Sequence, residues 1–385
     1  MEDKKRKNIL VVNGCLDGHF TGSVGIVKEL VSLGHNVTCY VFDEYADRLK
    51  DAGAKLVIYT VDRSKFKIDK NAPPFAIQAF VFAAAFDAIM TLLLTEKIKY
   101  DYYIFDSFFD INEMNKVLKI PTNKFASICT LFIFTDEDYT DLTPKKSMIF
   151  IPINKKYNIN VQDFLISHYS PNQFKKLILT SKLFHPKPEK TDDTCFFIGP
   201  CIENRKKDES FDFKKDKNKK LIYISLGTIF NKEYDFYFKC IEAFKDSKDY
   251  QIIMSVGKAV DIKQFGDVPK NISIYNYVPQ VQLLADVDIF ITHGGLNSTQ
   301  EGLLAGIPLI VIPQSYDQFD NAKRVVQLEA GISLDKNKIE VDVLKKAVND
   351  IVSNFGKYKN GVAKIVKSLK DSADNRKNIY KKLFV

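Results

Sequence analysis

Residues 291–322 read ITHGGLNSTQEGLLAGIPLIVIPQSYDQFDNA, and the polar groups in this stretch are spaced for a single ligand. A strand, DIFIT, runs into the turn HGGLN, and the helix STQEGLLAG follows. Gly294 and Gly295 allow close backbone approach. A helix start offers free N–H groups and a positive dipole, so the junction makes an anion site. Asn297 and Ser298 add side-chain donors there, and His293 lies where a diphosphate would pass. Glu301 comes four residues after Asn297, one turn along the same helix face, where a carboxylate can accept from the two hydroxyls of a ribose. Asp317 and Gln318 stand at the carboxyl end of the next strand, LIVIP, and suit paired hydrogen bonds to sugar hydroxyls. Phosphate, ribose and hexose subsites in a row describe a nucleotide sugar. A glycine-rich turn serving only the fold accounts for the glycines and Ser298, but not for His293, Glu301 and the Asp–Gln pair together.

A second constellation lies near the N-terminus. In VVNGCLDGHFTGS, His19 falls just past the carboxyl end of a strand, at the start of a helix. Asp106, in YYIFDSFFD, ends another strand. Two parallel strands of one sheet can bring these side chains together, and a carboxylate on one imidazole nitrogen orients the other and stabilises the protonated ring. Alone, His19 reads as a structural residue or an accessory to an anion site; Asp106 is what raises it to a base. Asp110 competes for the partner role but lies beyond the strand end and ranks second.

Both constellations need strand ends to hold them. One series of apolar runs comprises ILVVNG, VTCYVF, KLVIYTV, YYIFDS, KFASIC and TCFFIG; a second comprises LIYISLG, QIIMSVG, ISIYNYV, DIFITHGG and PLIVIPQ. Between the first two runs, Val24, Val27, Leu30 and Val31 recur at helical spacing and Gly34 supplies the stop. Near-continuous apolar strands alternating with helices indicate parallel sheets covered on both faces. Residues 201–220, CIENRKKDESFDFKKDKNKK, are charged, non-periodic and poor in aliphatics, as a linker is. The expected fold class is therefore α/β, with two doubly wound Rossmann-like domains. An N-terminal acceptor-binding domain covers 1–204, a charged linker 205–219, a nucleotide-sugar domain 220–370, and a C-terminal helix, 371–385, packs back on the first domain. Ligands of such sheets bind beyond the carboxyl ends of the strands, which places one cleft between two facing domains.

Composition narrows the classes further. The chain has 385 residues, 45% hydrophobic and 27% charged, with a formal charge of +8. The lysines are balanced by nearly as many acids and form no long block, which argues against a nucleic-acid partner. Six scattered cysteines with no C-x-x-C and no zinc spacing read as reduced, buried small hydrophobes of a cytoplasmic protein. The N-terminus lacks the apolar core of a signal peptide. Residues 75–94 are long and apolar enough to test as a membrane span, but Asp87 and Gln78 interrupt them, and a buried helix is expected instead. Asp286 and Asp288 form a D-x-D pair of the kind that binds manganese elsewhere. They precede a buried strand at its amino end, away from the ligand edge, so no metal is expected.

Residues 277–325, YVPQVQLLADVDIFITHGGLNSTQEGLLAGIPLIVIPQSYDQFDNAKRV, resemble the donor-binding signature of the UDP-glycosyltransferase superfamily, nearest its bacterial macrolide and natural-product branch. Weaker similarity covers the rest of the chain: Gly-His after the first strand, FIGP before the linker, and ISLGT opening the second domain. The resemblance implies the GT-B fold, an inverting mechanism, a UDP-sugar co-substrate and no metal or other cofactor. It implies that Tyr277 stacks on the base in place of the usual tryptophan, that Val278 bonds the base through its backbone, and that Gln280 lies near the ribose. It puts His293, with Gly295, Asn297 and Ser298, at the pyrophosphate, Glu301 at the ribose, Asp317 and Gln318 at the hexose, and Gly227 and Thr228 over the phosphates. It makes His19 the catalytic base and Asp106 its partner. Here FTGS follows Gly-His in place of the proline and small polar residues usual in the family.

These readings lead to an inverting hexosyltransferase, with glucose from UDP-glucose as the expected sugar. The acceptor would be a small lipophilic alcohol or phenol such as a macrolide or flavonoid, held by the 75–94 helix and the segment CTLFIF. A monomer or weak dimer is expected. A nucleotide-sugar epimerase would need an acid/base pair facing the sugar, and a non-enzymatic nucleotide-sugar sensor would have no use for the base. A dinucleotide dehydrogenase would need a G-x-G-x-x-G after the first strand, which is lacking.

Overall fold

The computed structural model describes residues 6–61, 74–96, 98–130, 150–161, 174–202, 207–229, 231–315 and 317–384. The chain divides into two compact units, Met1–Glu203 with Asp371–Val385, and Asn204–Lys370.

In the first unit, strands β1 (Asn8–Val12), β2 (Asn36–Phe42), β3 (Lys55–Tyr59), β4 (Tyr102–Asp106), β5 (Phe125–Cys129), β6 (Lys175–Ile178) and β7 (Cys195–Phe197) form one sheet in the order 3-2-1-4-5-6-7. Every pairing is parallel. Side chains of β1 alternate between two cores: Leu10 and Val12 pack with Phe82, Phe86 and Phe105, whereas Ile9 and Val11 pack with Phe20, Val24 and Val27. The sheet is thus apolar on both faces, as parallel sheets are. Helix α1 (Asp17–Ser32) covers one face and α2 (Pro74–Thr95) contributes to the other. Asp87 of α2 pairs with Lys156 at 2.7 Å and accepts from the Tyr157 hydroxyl at 2.8 Å. No helix among the described residues is long and apolar enough to cross a membrane.

The second unit carries β8 (Lys220–Ser225), β9 (Tyr250–Ser255), β10 (Ile272–Tyr275), β11 (Ile289–Thr292), β12 (Leu309–Val311) and β13 (Gly331–Ser333) in the order 10-9-8-11-12-13, again all parallel. In both sheets the order reverses beside the first strand, the switch point at which doubly wound folds bind ligands.

Three features depart from the sequence reading. Strands β6 and β13 were not expected. The described part of the expected linker, residues 207–219, belongs to the second unit and is tied to it. The Lys215 ammonium meets Asp288 at 2.8 Å, the Asp216 N–H donates to the Gln251 side chain at 2.8 Å, and Phe211 packs edge-on to Tyr275. The C-terminal segment, residues 371–385, groups with the first unit, and it is the end of a longer helix. The last two helices are α9 (Val341–Ser353) and α10 (Phe355–Leu383), and α10 runs unbroken through residue 370. In its second half, buried Arg376 donates to the carbonyls of Ile198 at 2.8 Å and Pro200 at 2.7 Å and pairs with Glu29 at 2.8 Å.

Candidate active site

In the first unit the register places the carboxyl ends of β1, β4 and β5 side by side, with Val12 opposite Phe105 and Asp106 opposite Ile128. His19 sits in the first turn of α1, immediately beyond β1, and Asp106 is the last residue of β4. His19 Nδ1 lies 3.0 and 3.2 Å from the two Asp106 carboxylate oxygens. Asp106 is fully buried and its Oδ1 also accepts from the Phe108 N–H at 2.8 Å. The Phe108 ring packs on the imidazole, with centroids 3.7 Å apart. Asp110 does not join the dyad. It caps α3 (Ile111–Leu118) by accepting from the Glu113 N–H at 3.1 Å, and burial pushes its carboxyl up to about 6.

The sequence reading missed Thr130, just past β5, whose hydroxyl oxygen lies 2.7 Å from His19 Nδ1 and 3.4 Å from Nε2. Only strand order, with β5 next to β4, brings it there. Of the acceptor segment CTLFIF, residues 131–134 lie outside the described residues. Asn13 is fully buried between β1 and this site, and neither polar atom of its amide has a partner.

In the second unit, α7 (Leu296–Leu304) begins two residues earlier than expected, with Gly295 as its N-cap, so Leu296 and Asn297 belong to the helix and not to the turn. The His293 imidazole is held between two glycines. A Cβ on Gly227 would lie 2.6 Å from its Cε1, and one on Gly295 would lie 2.5 Å from its Nε2. His293 Nδ1 has no hydrogen-bond partner. Burial drives the imidazole down to about 4, against the opposing pull of the Ser225 backbone. Burial thus favours the uncharged ring. Before a ligand arrives, the N-terminus of α7 is the electropositive element there.

Gln280 opens α6 (Gln280–Leu284). Its Oε1 accepts from the Tyr223 hydroxyl at 3.1 Å, which fixes the amide so that Nε2 donates to Ser298 Oγ at 3.2 Å and to Glu301 at 2.6 Å. Ser298 and Glu301, i and i+3 on α7, thus share one polar face with Gln280. Val278 is buried, and Tyr277 is 54% exposed. Thr228 follows Gly227, whose carbonyl accepts from the buried Asn231 amide at 2.8 Å.

Asp317 and Gln318 start α8 (Gln318–Gln327). Gln318 Oε1 accepts from the Gln314 and Ser315 N–H groups at 2.8 and 3.2 Å, so the carbonyl end of this side chain holds the loop. Asn321, one helical turn beyond Asp317, donates to Asp317 Oδ2 at 3.0 Å and to the Gly294 carbonyl at 2.8 Å, tying the start of α8 to the turn before α7. That i, i+4 spacing is visible in DQFDN, although the sequence reading passed over it. Burial pushes the Asp317 carboxyl up to about 7; the Asn321 bond opposes the rise and nearby Asp320 adds to it.

Asp288 accepts from the Leu221 N–H at 2.8 Å and from Lys215, and Lys215 also donates to the Asp286 carbonyl at 2.7 Å. This pair closes the amino end of β11, opposite the ligand edge. No group of three or more potential metal ligands occurs among the described residues.

Over 96% of its length the chain is 30% identical to an uncharacterized UDP-glucosyltransferase, YojK, of Bacillus subtilis (strain 168), covering 95% of that protein. The chain belongs to the UDP-glycosyltransferase superfamily. The NDP-glycosyltransferase YjiC of the same organism is 31% identical, with 91% of this chain and 90% of that protein covered. Residues 245–377 match the family model for the erythromycin biosynthesis protein CIII-like C-terminal domain. The crystal structure of the kitacinnamycin glycosyltransferase superposes with a TM-score of 0.82, covering 98% of this chain and 99% of that one at 24% identity. This glycosyltransferase therefore has the GT-B fold, and the two sites described above lie one in each of its Rossmann-like units.

Proposed function

We propose that the enzyme transfers a hexose, with glucose the first candidate, from a UDP-sugar to a hydroxyl of a small lipophilic acceptor, inverting the anomeric carbon with His19 as general base. The observation that carries this reading is the buried His19–Asp106 pair at 3.0 Å. With Nδ1–H donated to the carboxylate, Nε2 is the basic nitrogen. The acceptor O–H proton passes to Nε2 as its oxygen bonds the anomeric carbon, and the bond from that carbon to the diphosphate breaks on the opposite face. Asp106 stabilises the imidazolium that results. Donor specificity in this reading comes from Tyr277 and Val278 at the base, Gln280 and Glu301 at the ribose, and Asp317 and Gln318 at the hexose. The names of YojK and YjiC support a nucleotide-sugar donor, and that of the kitacinnamycin enzyme supports a natural-product acceptor.

The diphosphate would meet the start of α7 and His293, whose protonation an arriving dianion favours. No divalent ion enters the reading, because Asp288 of the D-x-D pair is engaged by Lys215 and the Leu221 N–H at the amino end of β11. The test is incubation with mixed nucleotide sugars and a panel of hydroxylated aromatics and macrolides, with and without excess chelator. A β-glycoside from the α-linked donor, formed equally in chelator, is expected. An α-glycoside, loss of transfer restored by manganese, or sugar isomerisation without acceptor would each overturn it.

A further inference from the structure

The net charge of this chain is concentrated on one element. Helix α10 carries eight lysines and two aspartates on exposed positions, a net of +6 where the whole chain carries +8; its one arginine, Arg376, is buried and paired with Glu29. Its buried stripe, including Tyr358, Val362, Ile365, Leu369, Arg376 and Tyr380, recurs at three- and four-residue intervals and faces the protein core. The opposite face is exposed and bears every lysine of the helix, with Asp371 and Asp374 among them. Two of these are engaged, Lys357 with Glu329 and Lys359 with the Gly306 carbonyl. Lys364, Lys367, Lys370, Lys377, Lys381 and Lys382 form no ion pair among the described residues. At 1.5 Å per residue the helix is about 43 Å long, and the charge lies along one side of it.

We propose that this face docks the enzyme on an anionic lipid surface. A strip of hydrated ammonium groups matches a plane of lipid phosphates, and each lysine near such a surface strengthens binding by about fivefold. The only arginine of the helix is buried, and no large apolar side chain is exposed on α10 among the described residues. The face thus lacks the guanidinium forks and stacking rings with which proteins grip nucleic acid. It also lacks a wedge for the acyl region. Binding is accordingly electrostatic and reversible by salt, and it involves none of the residues assigned to donor binding or to catalysis.

The test is flotation of the full chain with vesicles of phosphatidylcholine alone or mixed with phosphatidylglycerol. Binding is expected only to the anionic vesicles and should vanish at about 0.5 M salt. The triple variant Lys364→Gln/Lys367→Gln/Lys370→Gln should bind about 100-fold more weakly, with unchanged transfer to a soluble acceptor. A control variant of identical net charge, Lys217→Gln/Lys248→Gln/Lys270→Gln, removes exposed lysines elsewhere and should lose far less. Equal loss in both variants would mean bulk charge and not a docking face. Failure to bind anionic vesicles at low salt, or preference for a DNA duplex at the same phosphate concentration, would also overturn the proposal.

Discussion

Replacing Asp106 by asparagine separates two tasks that a carboxylate performs for an imidazole. The Oδ1 atom accepts from the Phe108 N–H at 2.8 Å and lies 3.0 Å from His19 Nδ1, so an amide oxygen in that position can keep both contacts. Orientation and tautomer then survive, and what disappears is the negative charge facing the imidazolium formed during transfer. A hydrogen bond to a charged group contributes about 1.5–3 kcal/mol, so Asp106→Asn should lower kcat roughly 10- to 150-fold. His19→Ala removes the base itself and should cost roughly 10²–10⁴. In the double variant the losses should not multiply, because the pair acts as one unit. The assay is initial-rate kinetics with an aliphatic alcohol and with an acidic phenol, alongside calorimetric UDP titration. UDP affinity should be unchanged in all variants, and the acidic phenol should suffer least from His19→Ala. Equal losses for both acceptors, or multiplying losses in the double variant, would show that His19 does not take the proton.

Glu301→Ala should weaken UDP binding by about 1.5–3 kcal/mol in calorimetry; unchanged affinity in a folded variant would move the ribose off α7. Gly295 has φ −59° and ψ 141°, which alanine adopts freely, so Gly295→Ala adds only a Cβ 2.5 Å from His293 Nε2. It should fold normally and lose roughly 10- to 100-fold in kcat/KM; undiminished turnover would free the imidazole from any role. Asp317 is raised above its unfolded value, so the folded chain holds its proton more tightly and is destabilised as pH rises from about 4 through about 7. Asp317→Asn should therefore stabilise the protein at pH 8, by roughly 1–4 kcal/mol, and by little at pH 4; an equal effect at both pH values in denaturant melts would refute the shift.

Apolar runs made most of the sheet legible in advance, and the omissions have specific causes. Strand β6 opens on two lysines, and Lys176 reads as surface. It is in fact buried, with its ammonium donating to Thr194 Oγ1 at 2.8 Å. Strand β13 is three residues, Gly-Ile-Ser, too short to show a period. The start of α7 was misread because Ser298 looks like an N-cap, whereas the true cap is Gly295, with no side-chain bond. Residues 207–219 looked like a free linker because ion pairs that bind a segment and charges that solvate it have the same composition. At the site, residue types located His19, Asp106 and the α7 groups. Thr130 and the glycine walls of His293 depend on which strands are neighbours, and that is not written locally.

The clasp of Arg376 on Ile198 and Pro200 gives the chain an unusual order of assembly. The second unit is threaded into the first as an insert, and Tyr380, Leu383 and Phe384 complete a core begun by Ile9 and Val11. These contacts close across 176 or more residues. The strands of the first Rossmann unit are synthesised before residues 376–384, so this part of its core can close only after the second unit has been made. The insert has all of its strands by then and can mature first, reversing the N-to-C order usual for two-domain chains. Cutting the chain just before Arg376 would thus be felt under the sheet beside which His19 sits.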